Sequence, residues 1–438
     1  MKRQQKDIIV VGFALFAMFF GAGNLIFPPY LGVVSGSGWM TGFTGFIIAD
    51  VGLALLAIMA AAKCQGDITK VLGRVGKRLS FVLATAIMIC LGPLLAIPRT
   101  GATTFEMGIQ PIFSGFSPII FSVLFFGLTL VLTIKPSKVV DIIGQYLTPA
   151  LLIALIFLII MGVVSPLGDL NEAPVISNIF SEGISQGYQT MDPLGAIALS
   201  AVVIISLGQK GYTEESQKIK LTLQAGLVAA VALVIVYGGL TYLGSTVAHQ
   251  FAGVNPSDIN QTSLIVSITE QLLGKPGKVV LAVIVGLACL TTAIGLVSAT
   301  AQYFTKLTKG AIKYETVVVV VCIFSAVVSN FGVSTIIKFS APILSVIYPA
   351  TIVLVIMTLF GHQIKNDNAF KGATYVALII SILTVANNMG LEIAFINKLP
   401  LSSLGFNWII PAIIGGIIGS FIPYHNDDKG YDRIDDAL

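Results

Sequence analysis

Few residues in this chain are equipped for chemistry, and most of them stand inside hydrophobic stretches. Asp192 precedes Pro193 in the segment GYQTMDPLGAIALSAVVII. A carboxylate near the centre of a bilayer costs about 2.5–3.5 kcal/mol on insertion scales, so it ordinarily has a partner or a task. Three tasks fit: facing an ammonium group, coordinating a cation, or capping the half-helix that begins at Leu194. Asn24 lies in FFGAGNLIFPPY, between Gly21, Gly23 and the pair Pro28-Pro29. Its amide offers an acceptor and donors, suiting a cation or a carboxylate. A helix broken here frees the N–H groups of Ala22, Gly23 and Asn24 at the start of the following half. That end carries roughly +0.5 of a charge and attracts a carboxylate. Carbonyls near Ala17, Phe19 and Phe20 close the preceding half with the opposite polarity and suit a cation. The carbonyls of Gln189 and Thr190, freed by the second break, suit an ammonium group.

Arg99 and Glu106 are seven residues apart in one apolar segment, two turns along one face. Direct contact is not expected at that spacing, so each needs a partner elsewhere, as a gate or as a structural charge. Asp50, midway along another apolar stretch, belongs to no motif. The hydroxyls of Thr291 and Thr292 in LACLTTAIGL are able to bond back to their own helix. The three histidines fall in loops or at segment ends, and no CxxC or Cys/His cluster suggests a metal. A hydrolase triad, a histidine proton relay and a phosphate loop all lack material.

The elements that must hold these residues are membrane helices. Only 11% of the 438 residues are charged against 55% hydrophobic, where soluble domains carry about 25% charged. Apolar runs recur throughout, and the alternation of a β-barrel is absent. The expectation is an all-α polytopic membrane protein of twelve spans, near 8–34, 38–62, 79–108, 117–134, 139–164, 188–209, 219–247, 277–306, 315–332, 334–360, 373–391 and 406–424. Twenty of the 25 Lys and Arg residues then fall on one side. This puts both termini in the cytoplasm and makes the basic excess a topology signal that needs no nucleic-acid partner. The first span reads as retained rather than as a cleaved leader. The stretch 66–80 reads as a basic amphipathic surface helix, and 255–274 as a helical lid with Asn255 capping and Pro256 at the helix start. The tail, 425–438, is acidic and polar.

Spans 1 and 6 are the two interrupted segments, and five spans separate their starts, so they enter the membrane from opposite sides. Paired breaks in oppositely oriented halves mark an inverted-repeat transporter. The expected organisation is one transmembrane domain with repeats over 8–164 and 177–360, two extra helices over 373–424, and the cytoplasmic tail.

FALFAMFFGAGNLIFPPYLG, LGPLLAIPRTGATTFEMGI, GYQTMDPLGA, LACLTTAIGL and VVSNFGVSTIIKFSAPILSVIYP, in this order, resemble blocks of the bacterial branched-chain amino acid:cation symporters, the BrnQ-type or LIVCS carriers. The resemblance implies a LeuT-type 5+5 inverted repeat with helices 1 and 6 interrupted, and import of leucine, isoleucine or valine by Na⁺ symport through the cell membrane. It implies a Na⁺ site formed by carbonyls of Ala17, Phe20 and Ala288 with the hydroxyls of Thr291 and Thr292. The substrate would meet Ala22, Gly23, Asn24, Thr190 and Asp192, with no cofactor beyond the coupling ion and no enzymatic activity. Proton coupling, a different small neutral amino acid and, more remotely, a channel are the alternatives.

Overall fold

The computed structural model describes residues 2–135, 146–361 and 363–423. The start of the fifth expected span and the acidic tail lie outside the described residues. Among the described residues every regular element is helical. Among the described residues eight helical stretches, several made of consecutive helices joined at turns or breaks, are long and apolar enough to cross a membrane, and three shorter apolar helices, Pro118–Thr133, Thr148–Val164 and Ile409–Phe421, stand at expected spans.

Both expected breaks are present. α1 (Lys2–Phe19) stops at Phe20-Gly21, and α2 (Ala22–Ser35) restarts beyond it. Pro28 and Pro29, which resist a regular helix, nevertheless lie inside α2. They remove N–H donors and so release carbonyls of Asn24 and Leu25 without ending the helix. Next come α3 (Trp39–Ile47) and α4 (Leu53–Lys63), joined by a π-helical turn, Ile48–Gly52, that carries Asp50. α5 (Lys77–Ile89) runs through a second such turn, Cys90–Leu94, into α6 (Ala96–Thr103), and a third, Thr104–Ile109, carries Glu106. α7 (Pro118–Thr133) and α8 (Thr148–Val164) follow.

The second break separates α9 (Ile179–Thr190) from α10 (Asp192–Gln209) at Met191, whose φ of 70° is left-handed. Such a φ is uncommon outside glycine and ends α9 sharply. Of the three tasks open to Asp192, capping is not the one seen: it is the first residue of α10, Met191 is the N-cap, and Asp192 Oδ2 accepts from the Asn24 and Tyr237 side chains. α11 (Glu215–Thr246) packs along α1 and α2. The expected lid begins later than its sequence suggests. Asn255 caps only a 3-10 turn, while Asn260 accepts from the Thr262 and Ser263 N–H groups and starts α12 (Gln261–Leu273).

α13 (Lys275–Leu307) crosses behind the first break, and α14 (Tyr314–Val328), α15 (Val333–Leu359), α16 (Asp367–Ala386) and α17 (Ile409–Phe421) complete the bundle. The stretch 66–80 is not the continuous surface helix expected. Gly76, at φ 101°, breaks it into a short turn, Ile68–Val71, a 3-10 turn, Gly73–Val75, and the start of α5.

α2 is held tightly. A Cβ added at Gly32 would stand 2.0 Å from the Thr241 carbonyl oxygen, and one at Gly244 would stand 1.9 Å from that of Pro29. Small residues at such crossings let helix backbones approach closely, which fixes the broken element against α11.

Candidate functional site

At the first break the Gly21 N–H donates to Asn24 Oδ1 at 3.1 Å, so the Asn24 side chain reaches back to satisfy a group released by the break. Its other end points across the bundle. Asn24 Nδ2 donates to Asp192 Oδ2 at 2.8 Å and also meets the Tyr237 hydroxyl. Tyr237 in turn donates to Asp192 Oδ2 at 3.0 Å. Asn24 thus brackets the two broken helices, and both ends of its amide are used within the protein.

The second break is organised by three more residues. The Thr190 hydroxyl lies 2.9 Å from Asp50 Oδ1 and 2.6 Å from the Gly187 carbonyl, and the Asp192 N–H donates to it at 3.3 Å. Arg99, 3% exposed, donates from Nη1 to the Gln189 carbonyl at 2.9 Å and from Nη2 to the Thr190 carbonyl at 3.2 Å. These are the carbonyls expected to receive an ammonium group. A planar guanidinium fork bridges two adjacent acceptors, and its charge complements the negative end of α9. Glu106, the other charge of that pair, accepts from the Val333 N–H at 2.9 Å and the Thr262 hydroxyl at 3.1 Å, tying α12 to the start of α15.

Between the two breaks lies a small cavity of about 20 Å³, room for roughly one water. Gly21, Ala22, Asn24, Thr190 and Asp192 form its polar wall, and Met18, Leu91, Leu199 and Leu296 are among its apolar ones. Gly23 packs against Phe27 and Arg99 instead. A larger recess of about 530 Å³ opens on the α12 side, lined by Glu106, Gln110, Asn260 and Phe331 among others.

Beside the cavity is a cluster of oxygens. The Thr291 hydroxyl lies 2.7 Å from the Ala17 carbonyl and 2.9 Å from those of Leu287 and Ala288; the Thr292 hydroxyl lies 3.2 Å from Ala17. Both readings of Thr291 are therefore present at once, a bond within its own helix and one across to α1. A hydroxyl carries one hydrogen and serves one of these carbonyls at a time. The carbonyls of Ala17 and Ala288 with the hydroxyls of Thr291 and Thr292, all without charge, form a donor set that fits a hard monovalent cation. Phe20 enters no hydrogen bond with this group among the described residues; its N–H continues α1 by donating to Phe16. Gly21 connects the two sites, since a Cβ there would stand 2.7 Å from Thr292 Oγ1.

Asp50 and Tyr237 are the members that the sequence left without a role. Asp50 is a lone acid in an apolar span, which is a signal, whereas Tyr237 stands among other hydroxyl residues of α11 and gives none; the partners of both come from distant segments.

The arrangement, broken helices meeting at a buried cavity inside an apolar bundle, is that of a membrane transporter. The fold is shared with solved transporters: a Na⁺-coupled sialic acid symporter in a substrate-bound outward-open state (TM-score 0.61, 14% identity, covering 94% of this chain and 89% of that one) and MhsT in complex with L-phenylalanine (TM-score 0.54, 19% identity, 94% and 98%). The family model described as branched-chain amino acid transport protein matches residues 4–426. The branched-chain amino acid permease BraB of Bacillus subtilis (strain 168) is 36% identical over 94% of this chain and 95% of its own. A putative branched-chain amino acid carrier protein of Staphylococcus aureus (strain USA300) is 38% identical over 95% and 97%. The chain belongs to the branched-chain amino acid transport protein family and is an integral membrane protein, a carrier and not an enzyme.

Proposed function

We propose that this protein imports leucine, isoleucine and valine by symport with Na⁺, through alternating access of a site at the two helix breaks. The observation that carries this reading is that Gly21 and Thr292 both line the cavity, while Thr292 also joins the carbonyl–hydroxyl cluster. One broken element therefore touches both ligands, and a cation bound at Ala17, Ala288, Thr291 and Thr292 would set the geometry of the substrate site. The N-terminus of α2 complements the substrate carboxylate, Asp192 faces the ammonium, and the leucines and Met18 take the branched side chain. One methylene in such a pocket is worth roughly 1–3 kcal/mol, so discrimination among the three amino acids is modest.

In this reading the chain has twelve spans in the cell membrane with both termini cytoplasmic. Repeats over 8–164 and 177–360 build the site, one bundle rocks against a scaffold around it, and the segment 373–424 adds two helices. Uptake of radiolabelled leucine, isoleucine and valine into vesicles tests it. An imposed Na⁺ gradient drives accumulation of all three. Uptake driven by a pH gradient in Na⁺-free buffer transfers the coupling to protons, and no uptake under either gradient rejects the reading.

A further inference from the structure

The sequence offers no reason for an acidic residue in the second span, yet the fold carries Asp50 to the candidate site. Asp50 is 0% exposed and Asp192 4%. Thr190 joins the two residues, its hydroxyl lying 2.9 Å from Asp50 Oδ1 and accepting from the Asp192 backbone N–H at 3.3 Å, and this places the two side chains close enough to interact. Asp192 Oδ2 takes donors from Asn24 and Tyr237. Asp50 Oδ2, fully buried, has no donor among the described residues. Arg99 is directed to the Gln189 and Thr190 carbonyls, and no ion pair joins it to either carboxylate among the described residues. The other titratable groups around the pair are Tyr237 from α11 and, from α15, Tyr348, on which Tyr188 of α9 stacks. α2 presents neutral Asn24; α3 carries no titratable residue, and α4 only Lys63 at its far end.

Two carboxylates in contact and out of water repel strongly, and the ordinary resolution is one hydrogen held between them. We propose that Asp50 and Asp192 form a proton-binding site that holds one shared proton when the cavity is empty and releases it when a substrate ammonium group arrives opposite Asp192. The inference rests on the reading of the cavity as an amino-acid site. The released proton passes to water on whichever side the cavity opens, leaving two carboxylates whose added charge the ammonium offsets. Linkage fixes the sign: substrate binding that expels a proton tightens as pH rises. This is opposite to a proton symporter, in which the proton must be present for the substrate to bind.

Calorimetric titration of leucine into Na⁺-saturated protein in lipid nanodiscs, in two buffers of different ionisation enthalpy, reads the proton directly. Release of up to about one proton per leucine is expected, with affinity rising by up to about tenfold per pH unit within the window of linkage. Asp50→Asn retains a hydrogen-bonding group but cannot titrate, and it removes the release and flattens the pH profile. Leucine binding with no proton exchange, proton uptake on binding, or an unchanged pH profile in Asp50→Asn each overturns the proposal. Infrared spectroscopy of the ligand-free wild-type protein decides without any substrate or variant, because a shared proton gives a protonated-carboxyl band that titrates with pH. Its absence overturns the proposal whatever binds. If that band is present while none of the three amino acids binds, the transport reading fails and the proton site stands.

Discussion

Thr292 serves both halves of the candidate site, so its hydroxyl is the most informative single group to remove. Thr292→Ala deletes one of two hydroxyls from the cation cluster. A lost hydrogen-bonding or coordinating group of this kind costs about 1–1.5 kcal/mol, which corresponds to a roughly tenfold rise in the Na⁺ concentration that half-activates leucine uptake. Thr292→Ser, keeping the oxygen, restores most of it; unchanged Na⁺ activation in the alanine variant removes Thr292 from the cation site. Arg99 offers a sharper chemical contrast. Its two terminal nitrogens bridge adjacent carbonyls at 2.9 and 3.2 Å, which a lysine ammonium on a flexible stem does not reproduce. Arg99→Lys is therefore expected to keep the charge yet lose most transport, read as uptake normalised to protein in the membrane. Asn24 and Asp192 were legible in the sequence, because a polar side chain beside a break in an apolar run has few harmless explanations. The bracket of Asn24, Asp192 and Tyr237 was not, since its members are separated by up to 213 positions and only the fold unites them.

At the scale of elements, the breaks were legible and the irregularities within spans were not. Gly21, Gly23 and the Asp192-Pro193 step advertise interruptions, but a π-helical turn adds about one residue to a turn without altering the apolar pattern. The turns that hold Asp50 and Glu106 therefore went unseen, as did the survival of α2 through two prolines. That survival depends on packing, because Gly32 and Gly244 let α2 lie against α11 with no room for a methyl group. Gly244→Ala forces the helices apart or strains the backbone, at a cost of about 1–3 kcal/mol typical of overpacking. The expected outcome is a lower midpoint of thermal unfolding in detergent, whereas Gly127→Ala, where an added Cβ meets nothing within 4 Å, leaves it in place. Equal midpoints for the two variants would show that α2 is not held by this crossing. Glu106 works at the same scale, joining α12 to the N-terminus of α15 through the Thr262 hydroxyl and the Val333 N–H. Hydrogen bonds to a charged group are worth about 1.5–3 kcal/mol each, so Glu106→Ala speeds amide exchange in Gln261–Leu273 by at least tenfold. Unaltered exchange there would mean that the lid is held by its apolar face alone.

Over the whole molecule, the cavity of about 20 Å³ is too small for an amino acid, so access requires one face or the other to open. Ligands and substitutions act on such exchange only through what they do differently to the states exchanged. The face bearing the N-terminus is tied by Lys306 to Asp67 at 2.6 Å, by Arg74 to Asp367 at 2.6 Å, and by Lys63 to the Leu359 carbonyl at 3.1 Å. Asp67 reports on the first of these. Burial pushes its carboxyl upward, but the bond from Lys306 and those from Thr69 outweigh burial and hold it below the usual range. A carboxyl depressed in the folded state contributes stability above its unfolded value of about 3.9 and loses it as pH falls through the lower folded value. The tie is therefore complete at neutral pH. Because Lys306 is largely exposed, the pair is worth only about 0.2–1 kcal/mol, a shift of roughly 1.4- to 5-fold in the population open on that face. Lys306→Gln should raise, by that factor, the rate at which a thiol reagent labels Leu296→Cys in the cavity wall, with the four buried native cysteines replaced. The increase should shrink toward zero at strongly acidic pH, where protonated Asp67 has already released Lys306 in the parent protein. If labelling is the same with and without Lys306 at neutral pH, this face opens without parting Asp67 from Lys306, and both move as one body.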